Sequence, residues 1–259
     1  MTPADWRQRF RAGEVRQTAA LCQGWTQANL ALIPATFADD FEAFLHANPA
    51  ACPLLARGSA GDPALPDLGD IDLRHDLPLY RTFRDGQPTG TLPDIAAHWR
   101  DDLVPFAIGC SLSFEADLVA AGVTLRCHAP GRSCSAFDTA LPNRAAGLFG
   151  GNLVVTMRAV AADQVALATE VTRNHPQAHG APVHTGDPAV IGVDMSRPID
   201  GLGLTDVQPG EVAVFWACGV TMERAIASAR LPFAITHAPG HMLITDLPAQ
   251  PHGASAWTP

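Results

Sequence analysis

A short unit that occurs twice limits how this chain can fold more than any other feature. Residues 104–122 read VPFAIGCSLSFEADLVAAG and residues 212–230 read VAVFWACGVTMERAIASAR. When Cys110 is aligned with Cys218, a hydroxyl residue and a glutamate recur three and five positions later, and both units run on to the tetrapeptide HAPG. Each unit predicts a buried strand that ends at a cysteine and is followed by a helix capped by the hydroxyl residue.

The duplication predicts one active site between two related halves. A helix N-terminus offers unpaired N–H groups and a partial positive charge, which favour a thiolate and bind a carboxylate. Ligands of α/β proteins also tend to bind at the carboxyl ends of strands. Cys110 and Cys218 are therefore candidate catalytic residues. The alternative is that both are structural, since free cysteine is among the most buried residue types.

Composition narrows the class of protein. The chain of 259 residues carries a formal charge of −9, which argues against a nucleic-acid-binding surface. All 17 basic side chains are arginine, so no lysine can form a Schiff base with pyridoxal phosphate. No cofactor is expected, and anions must be bound by arginine, helix N-termini and backbone amides. The six cysteines form no CxxC pair, and neither a signal peptide nor a membrane span is expected, which predicts a cytoplasmic protein.

The order of the segments predicts an α/β protein in two parts. A layered α/β main domain, built from residues 1–125 and 206–259, is expected to carry both repeated units. Residues 126–205 are expected to form a smaller inserted α+β domain, since they combine a β-rich stretch, a helix and a loop dense in His, Gly and Pro. Three helices are predicted within 3–50: one capped by Thr2, one that runs to about residue 30 and one that starts at Pro34. A further helix is predicted over 94–103.

Histidines are concentrated in two places. His179, His184 and Asp187 lie in a loop stiffened by Gly and Pro, which predicts either an acid–base loop, a divalent-metal site formed by these three residues, or a turn-rich connection. His241 follows the second HAPG tetrapeptide and is a further acid–base candidate. Arg158 ends an apolar run and needs an anionic partner, either a protein carboxylate or a substrate.

Several strings carry a family resemblance. FWACGVT at 215–221, HGAPVHTGDP at 179–188 and HAPGHM at 237–242 occur in order with a GCS segment at 109–111, an MR pair and earlier Asn, Asp and Pro residues, so the match spans nearly the whole chain. In these residues the chain resembles the bacterial "putative hydro-lyase" family, which is similar to the D-glutamate cyclases. The family often has Tyr-x-Thr-Asn after the first repeat, where this chain reads FDTA at 137–140.

The resemblance implies dehydration of D-glutamate to 5-oxo-D-proline, with a small acidic amino acid as the partner and a homo-oligomer as a possible assembly. Backbone N–H groups near Cys110 and Cys218 would stabilise an oxyanion. Base and acid would come from His179, His184 or His241. The substrate-binding residues it implies are Asn29, Ser111, Glu115, Arg158, Gly219, Thr221 and His237.

Two other functions fit the same residues. The paired thiols could exchange the α-proton of an acidic amino acid, as in cofactor-independent racemases. A non-catalytic binding protein for an acidic amino acid is the third interpretation, and it would show ligand-dependent thermal stabilisation without turnover.

Overall fold

The computed structural model describes residues 1–129 and 133–249. Within them the chain is a mixed α/β protein with two sheets. The α-helices are α1 (Pro3–Arg11), α2 (Ala35–Ala47), α3 (Glu115–Ala120), α4 (Val165–Arg173) and α5 (Thr221–Ala229). The strands are β1 (Trp25–Pro34), β2 (Leu54–Arg57), β3 (Tyr80–Arg84), β4 (Gln87–Leu92), β5 (Leu103–Gly109), β6 (Ser135–Pro142), β7 (Asn152–Ala161), β8 (His184–Thr185), β9 (Glu211–Ala217), β10 (Ala234–His237) and β11 (Leu243–Pro248).

The larger sheet has the order β2-β5-β1-β10-β3-β4, with β11 also paired to β1, and these pairs are antiparallel. Strand β1 is its centre: Ala31 lies opposite Phe106 of β5 and Thr236 of β10. Side chains of β1 alternate between two cores, because successive residues of a strand point to opposite faces. Ala31 packs with the helix α2 residues on one face, while Leu30 packs with the loop residues on the other.

The helix predicted up to about residue 30 is wrong, because that stretch is strand β1. Residues 27–34 are all buried, and a short apolar run buried on both faces cannot be distinguished from a helix by periodicity. The helix predicted at 94–103 reduces to a single 3₁₀ turn, Ala96–His98. Helix α1 is confirmed with its Thr2 capping box, and α2 begins after Pro34 as predicted.

The smaller sheet has the order β6-β7-β9-β8. Strand β9 pairs with β7 over seven residues, from Val155 opposite Ala217 to Ala161 opposite Glu211. The second cysteine strand therefore hydrogen-bonds within the smaller sheet, whereas the boundary predicted at 205/206 assigned it to the main domain. The chain returns to the larger sheet only after β9. There Met222 and Ile226 of α5 pack into the core that also contains residues of α2. No helix in the described ranges is both long and apolar enough to cross a membrane.

Candidate functional site

The two cysteine turns meet at one cavity between the sheets. Cys110 follows the last residue of β5 in the larger sheet, and Cys218 follows the last residue of β9 in the smaller one. Both line a cavity that encloses about 730 Å³ of empty space, part of it open to solvent. The cysteines of the two repeated units therefore lie at the same cavity, as the duplication predicted, although each unit belongs to a different sheet.

The hydroxyl of each repeated unit binds a neighbouring strand instead of capping its own helix. Ser113 Oγ accepts a hydrogen bond from the backbone N–H of Gln27 on β1 at 3.0 Å. Thr221 Oγ1 accepts one from the N–H of Val154 on β7, also at 3.0 Å. The predicted capping role is thus wrong for both. Thr221 is fully buried and is not among the cavity-lining residues, so direct contact with a substrate is not favoured.

Both thiols are protonated at neutral pH. Burial raises the pKa of Cys110 to about 12 and that of Cys218 to about 11. In each case the N–H of the residue two positions later, Leu112 or Val220, acts in the opposite direction. The cost of removing a thiolate from water is larger than the stabilisation that this N–H group gives, so the thiolates expected from the sequence do not form in the free protein.

Asn29 joins the two cysteine turns. Its Nδ2 donates to the carbonyl of Gly109 at 2.6 Å, just before the first cysteine. A Cβ on Gly219, just after the second cysteine, would lie 2.1 Å from the same nitrogen. Gly109 is equally confined, since a Cβ there would lie 1.7 Å from the carbonyl oxygen of Gln177. These close approaches explain why glycine flanks each cysteine, and they place Asn29 in the cavity wall.

Arg158 has an internal carboxylate as its partner. Its Nε and Nη2 lie 2.9 and 2.5 Å from Glu115 Oε1, and Nη2 also donates to Ser111 Oγ at 3.0 Å. The arginine is 2% exposed, lines the cavity and favours ionised Glu115, whose pKa is lowered although its burial acts to raise it. Glu115 is not a cavity-lining residue, so its role is to hold Arg158 rather than to touch a substrate directly.

Two of the predicted site histidines line the cavity, and both are neutral. Burial lowers the pKa of His179 to about 4, and its Nδ1 lies 2.9 Å from the carbonyl oxygen of Ala50. Burial lowers the pKa of His237 to about 3. The N–H of Leu30 lies 3.3 Å from His237 Nδ1, and Nε2 of this ring is buried with no hydrogen-bond partner among the described residues.

The other two predicted histidines, His184 and His241, are not among the cavity-lining residues, although His241 lies between Gly240 and Met242, which are. His184 Nε2 is 2.8 Å from the backbone oxygen of Asp187, and its ring stacks on Phe215. His241 Nδ1 is 2.9 Å from the backbone oxygen of Pro239. The contact of His184 lies within its own loop, as expected of a turn-rich connection, and the contact of His241 lies within the turn of the second HAPG tetrapeptide.

The metal site predicted from His179, His184 and Asp187 is not assembled. Among residues 1–129 and 133–249, the group with ligand atoms close enough for a metal is Glu115, Cys127 and His128. Sequence reasoning missed this group, although the adjacent Cys127 and His128 were a visible signal. The end of the first HAPG tetrapeptide, at 130–131, lies outside the described residues.

Comparisons with known proteins agree on one family. A family model described as D-glutamate cyclase matches residues 104–246. A protein named "Putative hydro-lyase" from Paraburkholderia phymatum is 48% identical over 95% of this chain and 97% of its own length. A similarly named protein from Bordetella petrii is 51% identical over 92% and 90%. Among solved structures, a nitrogen repressor-like protein from Methanococcus jannaschii is 11% identical over 90% of this chain, with a TM-score of 0.39, too weak a likeness to bear on function.

Proposed function

The chain belongs to the D-glutamate cyclase family, and on that premise we propose that it closes D-glutamate to 5-oxo-D-proline with loss of water. The α-amine attacks the γ-carboxyl carbon, a C–N bond forms, and the tetrahedral intermediate expels one oxygen as water. One observation carries the proposal: both cysteine turns, Arg158 and two neutral histidines line a single cavity. Holding the substrate in a folded shape there places the amine next to the γ-carboxyl carbon and so lowers the activation barrier of ring closure.

Arg158 and the helix N-termini supply the binding of carboxylates. Because Glu115 already balances the charge of Arg158, a substrate carboxylate beside this arginine also needs N–H donors. The first N–H groups of α5 already donate to the preceding turn, as Thr221 does to the carbonyl of Cys218. The N–H groups directly after the two cysteines, of Ser111 and Gly219, are the ones that we assign to the carboxylate. This assignment keeps the two predicted oxyanion sites, at Cys110–Ser111 and Cys218–Gly219.

The protonation states suggest which group gives and which takes the proton. His237 Nδ1 lies 3.3 Å from the nitrogen and 3.5 Å from the carbonyl oxygen of Leu30. In the tautomer whose Nδ1 accepts from this N–H, Nε2 carries the proton and can donate to the developing oxyanion. In the tautomer whose Nδ1 donates to the carbonyl of Ala50, Nε2 of neutral His179 is unprotonated and can take the proton of the attacking amine. The protonated thiols of Cys110 and Cys218 can give a proton to the departing oxygen.

The reaction is tested with purified, EDTA-treated protein and D- or L-glutamate, with and without Mg²⁺ or Mn²⁺. Chiral chromatography follows 5-oxoproline. We expect product from the D isomer alone. A requirement for metal would indicate Glu115, Cys127 and His128 as the candidate ligands. Absence of product from both isomers, with active-site integrity shown by ligand-induced thermal stabilisation, would contradict the cyclase assignment and support the binding-protein alternative.

Substitutions test the residue roles. His179→Gln is expected to lower kcat by about a hundredfold or more, because it removes the proposed base. His46→Gln, at an exposed histidine on α2, is the matched control. An equal loss of kcat in His184→Gln or His241→Gln, with His179→Gln active, would assign the role of general base to that residue. Full activity in Cys218→Ala would exclude an essential chemical role for this thiol.

The presence of two thiols in one cavity also favours a second candidate, exchange of the α-proton of an acidic amino acid. The raised pKa values of Cys110 and Cys218 oppose it, because a protonated thiol cannot accept the α-proton. Incubation of each glutamate isomer in heavy water separates the two reactions. Deuterium at Cα without ring closure would support exchange, and unlabelled 5-oxoproline would support the cyclase.

A further inference from the structure

Two cysteines outside the proposed chemistry are in direct contact. Cys127 Sγ and Cys134 Sγ are 2.9 Å apart, and both are free thiols. Cys127 is buried, whereas Cys134 is half-buried and forms part of the cavity wall. A small molecule that enters the cavity therefore lies next to one residue of the pair.

The surroundings of the pair stabilise a negative charge on sulfur. Cys134 donates to Cys127, which lowers the pKa of the Cys127 thiol although burial acts to raise it. The same contact and burial raise the pKa of Cys134, so the thiolate of the pair forms on Cys127. Arg158 and His128 are the nearby cations, and both also act to lower the pKa of Cys127. Glu115 opposes them, but its Oε1 pairs with Arg158 and its Oε2 lies 2.6 Å from His128 Nε2. Reactive cysteines are typically found in such electropositive, partly accessible places.

A metal fits this arrangement less well. The ring nitrogen of His128 that faces the group is already bonded to Glu115, and the other oxygen of Glu115 is bonded to Arg158. Two thiolates on one tetrahedral zinc are about 3.8 Å apart, since each Zn–S bond is about 2.3 Å. The observed 2.9 Å is shorter, so the sulfurs would have to separate to bind zinc.

We propose that Cys127 and Cys134 are an oxidative modification site, at which a small peroxide entering the cavity joins the two sulfurs in a disulfide. One sulfur, as thiolate, attacks the O–O bond of hydrogen peroxide and becomes a sulfenic acid, while hydroxide leaves and takes up a proton. The other sulfur then attacks the sulfenic sulfur, the S–S bond forms, and the sulfenic oxygen leaves as water. Two thiols and one peroxide give one disulfide and two waters.

The modification would change the wall of the proposed active site. Cys134 Sγ also lies 3.4 Å from Glu115 Oε1, a second acceptor within reach of the one S–H that faces Cys127, and this donor disappears on oxidation. The backbone around Cys134 is tied to the 204 region, since Leu204 N–H donates to the carbonyl of Ser133 at 2.9 Å. A disulfide would draw the two sulfurs together and shift the segment around Cys134, which Leu204 holds on its other side. This segment contacts Glu115, the partner of Arg158.

The positions of the arginines make the test direct. Trypsin cleaves after Arg126, Arg132 and Arg144, so a disulfide links the peptides 127–132 and 133–144. The reduced full-length protein is treated with hydrogen peroxide, its remaining thiols are alkylated, and it is digested without reductant for mass spectrometry. We expect the linked peptides to appear with peroxide and to disappear after treatment with dithiothreitol.

Three variants serve as controls. Cys127→Ser and Cys134→Ser should each abolish the linked peptides, and Cys22→Ser, at a half-buried cysteine elsewhere, should retain them. The proposal is overturned if peroxide leaves both cysteines separately alkylated in the wild type, or if it links Cys110 to Cys218 instead. Zinc that copurifies with the wild type, blocks alkylation of the pair and is lost in Cys127→Ser would also overturn it, in favour of a metal site. None of these readouts depends on turnover of glutamate.

Discussion

Replacing each of two related glutamates by glutamine should separate a buried carboxylate whose pKa is lowered by its arginine from one whose pKa is raised by burial. Glu115 and Glu223 occupy the same position in the two repeated units, and both are buried. Glu115 pairs with buried Arg158, and its pKa is lowered. Glu223 accepts from Thr236 Oγ1 at 3.0 Å and lies near Arg81, yet burial raises its pKa.

The expected magnitudes follow from the charge that each variant leaves behind. Glu115→Gln strands the guanidinium of Arg158, which is 2% exposed, and breaking a buried ion pair costs about 3–5 kcal/mol. Glu223→Gln removes the pairing with Arg81 at 3.2 Å, but Arg81 keeps Asp200 as a partner at 2.6 Å. The neutral amide can also still accept from Thr236, so we expect a loss of about 1 kcal/mol. The two chemically identical substitutions should therefore differ by at least about 2 kcal/mol.

Urea unfolding followed by tryptophan fluorescence measures both losses. With a slope of about 3 kcal/mol/M, Glu115→Gln should lower the midpoint by about 1 M or more, and Glu223→Gln by about 0.3 M. Because the folded-state pKa of Glu115 lies below 4.5, its contribution is full above pH 4.5 and is lost as the pH falls through the folded value. Equal midpoints for the two variants at pH 7 would refute the reasoning, since the pairing with Arg158 would then contribute nothing special.

Two further predictions concern the cavity wall. Gly219→Ala should lower both the melting temperature and the activity, because its Cβ would lie 2.1 Å from Asn29 Nδ2, whereas Gly150→Ala, whose nearest neighbour would be 3.6 Å away, should change neither; an active, stable Gly219→Ala would contradict the packing. Burial lowers the pKa of His179 from 6.5 to about 4 and that of His237 from 6.5 to about 3, so stability should be full above pH 6.5 and fall on acidification by up to about 1.4 kcal/mol per pH unit for each ring. Urea midpoints from neutral pH to about pH 5 should fall less steeply in His179→Gln than in the wild type, and identical slopes would show that this ring is not buried in its neutral form.

Local signals in the sequence were sufficient for several elements. The capping box at Thr2 and the proline at residue 34 fixed where α1 and α2 begin, because these residues act through neighbours one turn away. Strand β1 was missed because its evidence is not local: its burial comes from β5 and β10, which are distant in the chain. The same reason explains why β9 joins the smaller sheet, since pairing partners cannot be deduced from the apolar run itself.

The sequence alone determined that two cysteine turns of related design exist, that lysine chemistry is absent, and which family the chain resembles, because these properties reside in residue types and their order. Only the tertiary structure decided how the side chains are used. It brought Cys110 and Cys218 to one cavity, gave Arg158 an internal carboxylate, and did not place His184 or His241 among the cavity-lining residues. It also set the protonation states, because the pKa of a thiol or an imidazole depends on how much water its neighbours exclude, and those neighbours come from distant parts of the chain.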